Sequence, residues 1–145
     1  MKYIFLFGLT LLFMPVTVTG SNSVVVNNEI AGQPETGKSV SLYYFYFVPR
    51  CDECIILDKA LDELIEENFS NEIKNGRLVF KRINLTEPDN NEQEIIRQLR
   101  VRRQLLLLVS EDETENLTRD AFRFVERDRE RFNQSMLGSI NGMLQ

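Results

Sequence analysis

Histidine and tryptophan are absent from the 145-residue chain, and cysteine occurs twice. Without imidazole there is no Ser-His-Asp or Cys-His catalysis, no His-ligated zinc, iron or copper, and no histidine pH switch. Positive charge is in deficit: 17 Lys+Arg face 22 Asp+Glu, for a net charge of −5. A general nucleic-acid binder needs a basic face to displace counterions from phosphate, so nucleic acid is not an expected partner. No G-x-G-x-x-G stretch marks a flavin or nicotinamide site, and no cofactor is expected. The reactive chemistry left is carboxylates, hydroxyls and two thiols. The length and the 43% apolar content suit one globular domain.

Lys2 precedes an apolar run from Tyr3 to Met14, broken by Pro15 and followed by the stretch Val16-Thr17-Val18-Thr19-Gly20. A basic start, a short apolar core and a small-residue exit make residues 1–20 a secretory signal peptide, or an anchor if it is retained. The run is short for a membrane span. The expected location is extracytoplasmic, periplasmic or secreted, where disulfides persist. Residues 21–38 are polar and turn-rich and read as a linker, and residues 39–145 as the folded domain.

Ser39–Phe47 is almost continuously apolar and rich in aromatic and β-branched residues, which describes a strand covered on both faces. Beyond Pro49 the period becomes helical: Ile55, Leu57, Leu61, Leu64, Ile65 and Phe69 form one face. Asp58, Asp62, Glu63, Glu66 and Glu67 are expected mostly to face solvent. After the turn signal Asn75-Gly76 come a strand at Leu78–Leu85, a helix carrying Ile95, Ile96 and Leu99, and a strand at Leu105–Val109. Glu111 to Glu115 reads as a solvated turn. Asn116-Leu117-Thr118 then caps a short helix with Ala121, Phe122 and Val125. Phe132, Met136, Ile140, Met143 and Leu144 share one face of a C-terminal helix. Alternating strands and helices predict an α/β fold whose central sheet is mainly parallel and flanked by helices.

One motif carries chemistry. Cys51-Asp52-Glu53-Cys54 is a C-x-x-C at the junction of the buried strand and the long helix. The free N–H groups of a helix's first turn stabilise a thiolate, which makes Cys51 the expected nucleophile. Cys54, three residues on, is within reach to resolve a mixed disulfide. A structural staple is a poor use of this spacing, because closing so small a loop contributes only about 2 kcal/mol. Half of a zinc site would need a second chain to complete four thiolates. Two inert buried thiols conflict with the polar neighbours Arg50, Asp52 and Glu53. Those neighbours tune the pair: Asp52 and Glu53 oppose thiolate formation and Arg50 favours it, so the pair is expected to act as a reductant or electron relay.

A C-x-x-C beside a β-α-β pattern is the thioredoxin-like redox signature. From about Leu42 onward the chain resembles one branch of that superfamily, the ArsF family. These are exported thioredoxin-like proteins of arsenic-resistance clusters, labelled "nitrophenyl compound nitroreductase subunit". The resemblance rests on Tyr44-Phe45 leading to Arg50-Cys51-x-x-Cys54, on Asn75-Gly76-Arg77-Leu78-Val79-Phe80, on Asn84-Leu85-x-Glu87-Pro88-Asp89-Asn90, and on the strand at Leu105. It implies a thioredoxin fold and a dithiol working beside a membrane permease and other redox proteins. The chain departs from the superfamily pattern in two ways. No proline stands at or beside Leu105, where thioredoxins have a cis-Pro. The tyrosines and phenylalanine at Tyr44, Phe45 and Tyr46, read as core aromatics, fill the stretch in which thioredoxins bury an acid.

Two functions follow. In a thiol–disulfide relay, Cys51 attacks a partner disulfide and Cys54 resolves it. Alternatively, the reduced pair ligates a thiophilic species such as trivalent arsenic for a permease. A non-catalytic adaptor is a third reading. Arg97, Arg100, Arg102 and Arg103 read first as a solvated face, and second as an attractor for an anionic substrate or acidic partner. The N-x-S/T matches at Asn68, Asn84, Asn116 and Asn133 read as chance.

Overall fold

The computed structural model describes residues 38–145. The expected signal peptide, and the linker apart from Lys38, lie outside the described residues. No helix among the described residues is long and apolar enough to cross a membrane.

Among the described residues nine elements follow one another: β1 (Val40–Tyr46), α1 (Asp52–Asn68), α2 (Ser70–Lys74), β2 (Leu78–Asn84), α3 (Asn90–Gln98), β3 (Leu105–Val109), β4 (Thr114–Asn116), α4 (Thr118–Phe124) and α5 (Arg129–Leu144). The four strands form one sheet in the order β2-β1-β3-β4. As its continuous apolarity requires, β1 is interior, with Val40, Leu42, Tyr44 and Phe45 all buried. Its alternate residues serve two cores. Val40, Leu42 and Tyr44 pack with Leu106 and Leu108 against α1, α4 and α5. Phe45 packs on the other face with Ile83, Val101 and Leu107, beneath the partly buried Ile95, Ile96 and Leu99 of α3 and its end. The five residues expected on one face of the last helix, Phe132, Met136, Ile140, Met143 and Leu144, are all buried.

The sheet is mixed, not mainly parallel. β1 and β2 are parallel, whereas β1–β3 and β3–β4 are antiparallel. Apolar runs and helical periods mark the elements but carry no strand direction. The 17 residues of α1 span about 26 Å, enough to carry the chain back along the roughly 23 Å of β1, and β2 starts level with β1. After α3 the chain re-enters at the end of the sheet it left, with Leu105 opposite Phe45, and β3 runs the other way.

A second difference is β4. Thr114 and Glu115 belong to an edge strand, and the reversal is confined to Ser110–Glu113, closed by the Ser110 N–H donating to the Glu113 carbonyl at 2.8 Å. Three polar residues, Thr114 and Asn116 exposed and Glu115 partly buried, carry no apolar alternation that sequence could register. The α4 cap also differs: the Asn116 side chain accepts from the Thr118 N–H, while the Thr118 hydroxyl accepts from the Leu106 N–H at 2.8 Å and so ties α4 to β3.

α3 is bounded at both ends by local chemistry. Asp89 and Glu92 form a reciprocal capping box. At the other end the Val101 N–H reaches the Ile96 carbonyl and the Arg100 N–H the Arg97 carbonyl, the paired bonds of a Schellman turn. That turn needs a left-handed residue, and Arg100 supplies it at φ 53°, where a side chain costs about 1–2 kcal/mol. Arg100→Gly should therefore stabilise the fold by about 0.5–1 kcal/mol after the extra freedom gained by the unfolded chain, read as a raised denaturant midpoint at unchanged slope.

Candidate functional site

β1 ends at Tyr46, and after four intervening residues Cys51 stands directly before α1. Cys51 is the N-cap, its sulfur accepting from the Cys54 N–H at 3.2 Å, and the two cysteines are disulfide-bonded with Cα atoms 5.0 Å apart. The pair is asymmetric: Cys51 is exposed, whereas Cys54 is 3% exposed. A partner can reach the first sulfur and not the second. Asp52 and Glu53 lie exposed in the first turn of α1, favourably placed at its positive end.

Arg50, expected to tune the thiols, has two partners beside the motif. Its guanidinium lies 3.7 Å from the centre of the Tyr46 ring and forms an ion pair with Asp58. Asp58 also accepts from Arg82 Nε at 2.5 Å, and Arg82 reaches on to Asp62. Asp58 thus departs from the expected solvent-facing row; its side chain is only 20% exposed. The reason is tertiary. Arg82 pairs with Tyr44 across the parallel strands, which puts it on the sheet face covered by α1. Burial acts to raise the Asp58 pKa, but hydrogen bonds from Arg82 and Arg50 outweigh it and hold the carboxyl below the usual aspartate range.

Two residues that sequence reasoning did not place at the site contact Cys54. The Tyr44 hydroxyl donates to the Cys54 carbonyl at 3.3 Å. The Gln104 side-chain nitrogen lies 3.3 Å from the Tyr44 hydroxyl and 3.3 Å from Cys54 Sγ. Burial pushes the Tyr44 hydroxyl up to about 12, with the Arg50 charge opposing, so it remains protonated at neutral pH. Tyr44 is a core aromatic, as read, whose polar tip also serves the site. The sequence signal for Gln104 was its position, a polar residue directly before an apolar strand.

Phe47, Val48, Ile55 and Ile56, on either side of the motif, are 45%, 53%, 53% and 36% exposed, an apolar surround for the accessible sulfur. Of the arginine cluster, Arg97 and Arg102 line a cleft between α3 and the end of β1, and Arg100 forms the turn described above. Asn68, Asn84 and Asn116 are occupied by local hydrogen bonds. Among the described residues, no group of three or more Cys, His, Asp or Glu is gathered to hold a metal ion.

No family model matches the chain and no curated protein matches it. Among solved structures, "Structure of a malarial protein" is similar at 12% identity and a TM-score of 0.38, over 63% of this chain and 98% of that one.

Because the folded-state pKa of Asp58 is depressed, its contribution is present above the unfolded pKa and lost as pH falls through the folded one. Asp58→Asn should cost about 1–3 kcal/mol at neutral pH and flatten the acid limb of a stability-versus-pH curve. Chemical denaturation from neutral pH down through the carboxylate range checks both.

Proposed function

We propose that the chain is an exported thiol–disulfide relay of thioredoxin-like fold, with Cys51 as nucleophile and Cys54 as resolving thiol. The observation that carries this reading is the asymmetry of the pair: an exposed sulfur capping α1, bonded to a buried one three residues on. The resemblance to exported thioredoxin-like proteins and the apolar run near the N-terminus support export, and a redox protein or membrane permease as partner.

The Cys51 thiolate attacks one sulfur of a partner disulfide, forming a mixed disulfide and expelling the partner's other sulfur as thiolate. Cys54, deprotonated, attacks Cys51 Sγ and expels the second partner sulfur. The partner gains two electrons and two protons, and the Cys51–Cys54 disulfide is restored; a dithiol donor must reduce it for the next cycle. The first turn of α1 supplies partial positive charge to Cys51. Gln104 serves Cys54: its amide nitrogen can donate to a thiolate, and its amide oxygen, 3.6 Å from the same sulfur, can accept from a thiol. It cannot take the proton, so deprotonation of Cys54 is left to solvent or to the departing partner thiolate.

Cys54→Ser should trap a mixed disulfide on Cys51, seen as a reducible adduct by mass spectrometry, and abolish catalysed disulfide reduction. If instead no disulfide exchange is detected while arsenite binds in a manner needing both cysteines, the chain is a thiol ligand and the relay fails.

Gln104→Leu removes a donor that stabilises the Cys54 thiolate and hence the reduced state. The reduction potential should fall by about 20–30 mV, the equivalent of roughly one hydrogen bond. Equilibration against glutathione or dithiothreitol buffers gives the number, and an unchanged potential would make Gln104 a packing residue only.

A further inference from the structure

A cleft of about 320 Å³ opens at the same end of the sheet as the dithiol, lined by Phe47, Leu85, Ile96 and Val101 with Arg97 and Arg102. That is the low end of the size range for small-ligand sites, and its make-up, an apolar floor with a few charged groups, is theirs as well. Its position is fixed by the chain. Phe47 is four residues before Cys51, at most about 14 Å of extended backbone. Arg102 is two residues before Gln104, which touches Cys54, at most about 7 Å. The exposed Phe47 and Val48 form the apolar ground between the two.

The charge of the cleft is of one sign. Arg102 is exposed and makes no ion pair among the described residues; Arg97 is paired with Glu94 on its own helix, its side chain still 74% exposed. Of the nearby acids, Asp89 and Glu92 are turned into the capping box, Glu94 is the partner of Arg97, and Glu87, though exposed, does not line the cleft. A cationic, apolar cleft on a chain of net charge −5 is complementary to an occupant with both an apolar side chain and a carboxylate. On the premise that Cys51 exchanges with a polypeptide, we propose that this cleft recognises that polypeptide: a segment with a large apolar residue next to an Asp or Glu, roughly three or four positions from its own cysteine. Docking there sets the partner disulfide over Cys51, so the cleft selects partners while the dithiol does the chemistry.

The test uses the full chain, reduced with dithiothreitol and desalted. The probes are short peptides whose single cysteine is blocked as a thionitrobenzoate disulfide and whose fourth neighbour is Phe-Glu, Phe-Lys or Ala-Glu. The Cys51 thiolate forms a disulfide with the peptide cysteine and thionitrobenzoate leaves with the electron pair, so absorbance reports the rate. The Phe-Glu peptide should react at least about tenfold faster than Phe-Lys at low salt, the modest end of electrostatic steering. It should also outpace Ala-Glu, and the Phe-Glu to Phe-Lys ratio should collapse in Arg102→Glu. The neutral probe 2-hydroxyethyl disulfide separates the two claims. If it reacts while the three peptides do not differ, or the ratio survives Arg102→Glu, the cleft is not the recognition site and the relay stands. If Phe-Glu and Ala-Glu match while both beat Phe-Lys, the arginines steer charge without an apolar seat and the proposal is overturned. If no disulfide reacts, the relay itself falls.

Discussion

Asp58 holds the site together. Its carboxylate takes Arg50 from the loop that carries Cys51 and Arg82 from β2, and it stands on α1 one turn beyond Cys54. Three separate segments meet on one charge: the strand-to-helix loop, the helix that positions both cysteines, and the strand paired with β1. Two ion pairs to one partly buried carboxylate are worth more than exposed pairs, because the surrounding protein screens them less and both guanidiniums are held against aromatic rings. The cation nearest to the motif in sequence is held by Asp58 and Tyr46, and the Cys51 sulfur itself accepts from the first turn of α1.

Around that anchor the two sulfurs occupy different environments. Cys51 is open to solvent within an apolar surround, and Cys54 is closed off beneath Tyr44 and Gln104. The polar groups meeting Cys54 are neutral at ordinary pH, a phenol whose ionisation burial suppresses and an amide. Gln104 meets the sulfur and Tyr44 holds Gln104 and the Cys54 carbonyl, and neither group stores or releases a proton. The second sulfur of this pair is thus served by hydrogen bonding where a buried carboxylate would serve it by proton transfer, and the difference follows from the aromatic character of β1.

Elements with a strong local signature were legible in the sequence. The interior strand at Val40–Tyr46, the amphipathic helix after Cys51, the strand at Leu105–Val109 and the buried face of the last helix each follow from apolar period, and turns at Asn75-Gly76 and Pro49 follow from backbone preference. The short edge strand Thr114–Asn116 escaped because three polar residues on an edge need no pattern. Asp58 was misplaced because an acid among acids on a helix reads as solvent-facing until a cation is known to sit opposite.

Composition and residue order alone exclude imidazole chemistry, place a dithiol at a strand-to-helix junction, and set the order of the elements. Those are properties of composition and of neighbours within one helical turn. Four things emerge only when the chain is folded: β3 runs antiparallel to β1, Cys51 is the reachable sulfur, Tyr44 and Gln104 meet Cys54, and Arg97 and Arg102 share a cleft with Phe47. Apolar periodicity says which face of an element is buried and nothing about strand direction or about which distant side chain lies opposite. Those depend on the end of the sheet at which each connection re-enters and on cross-strand register, where residues dozens of positions apart become neighbours.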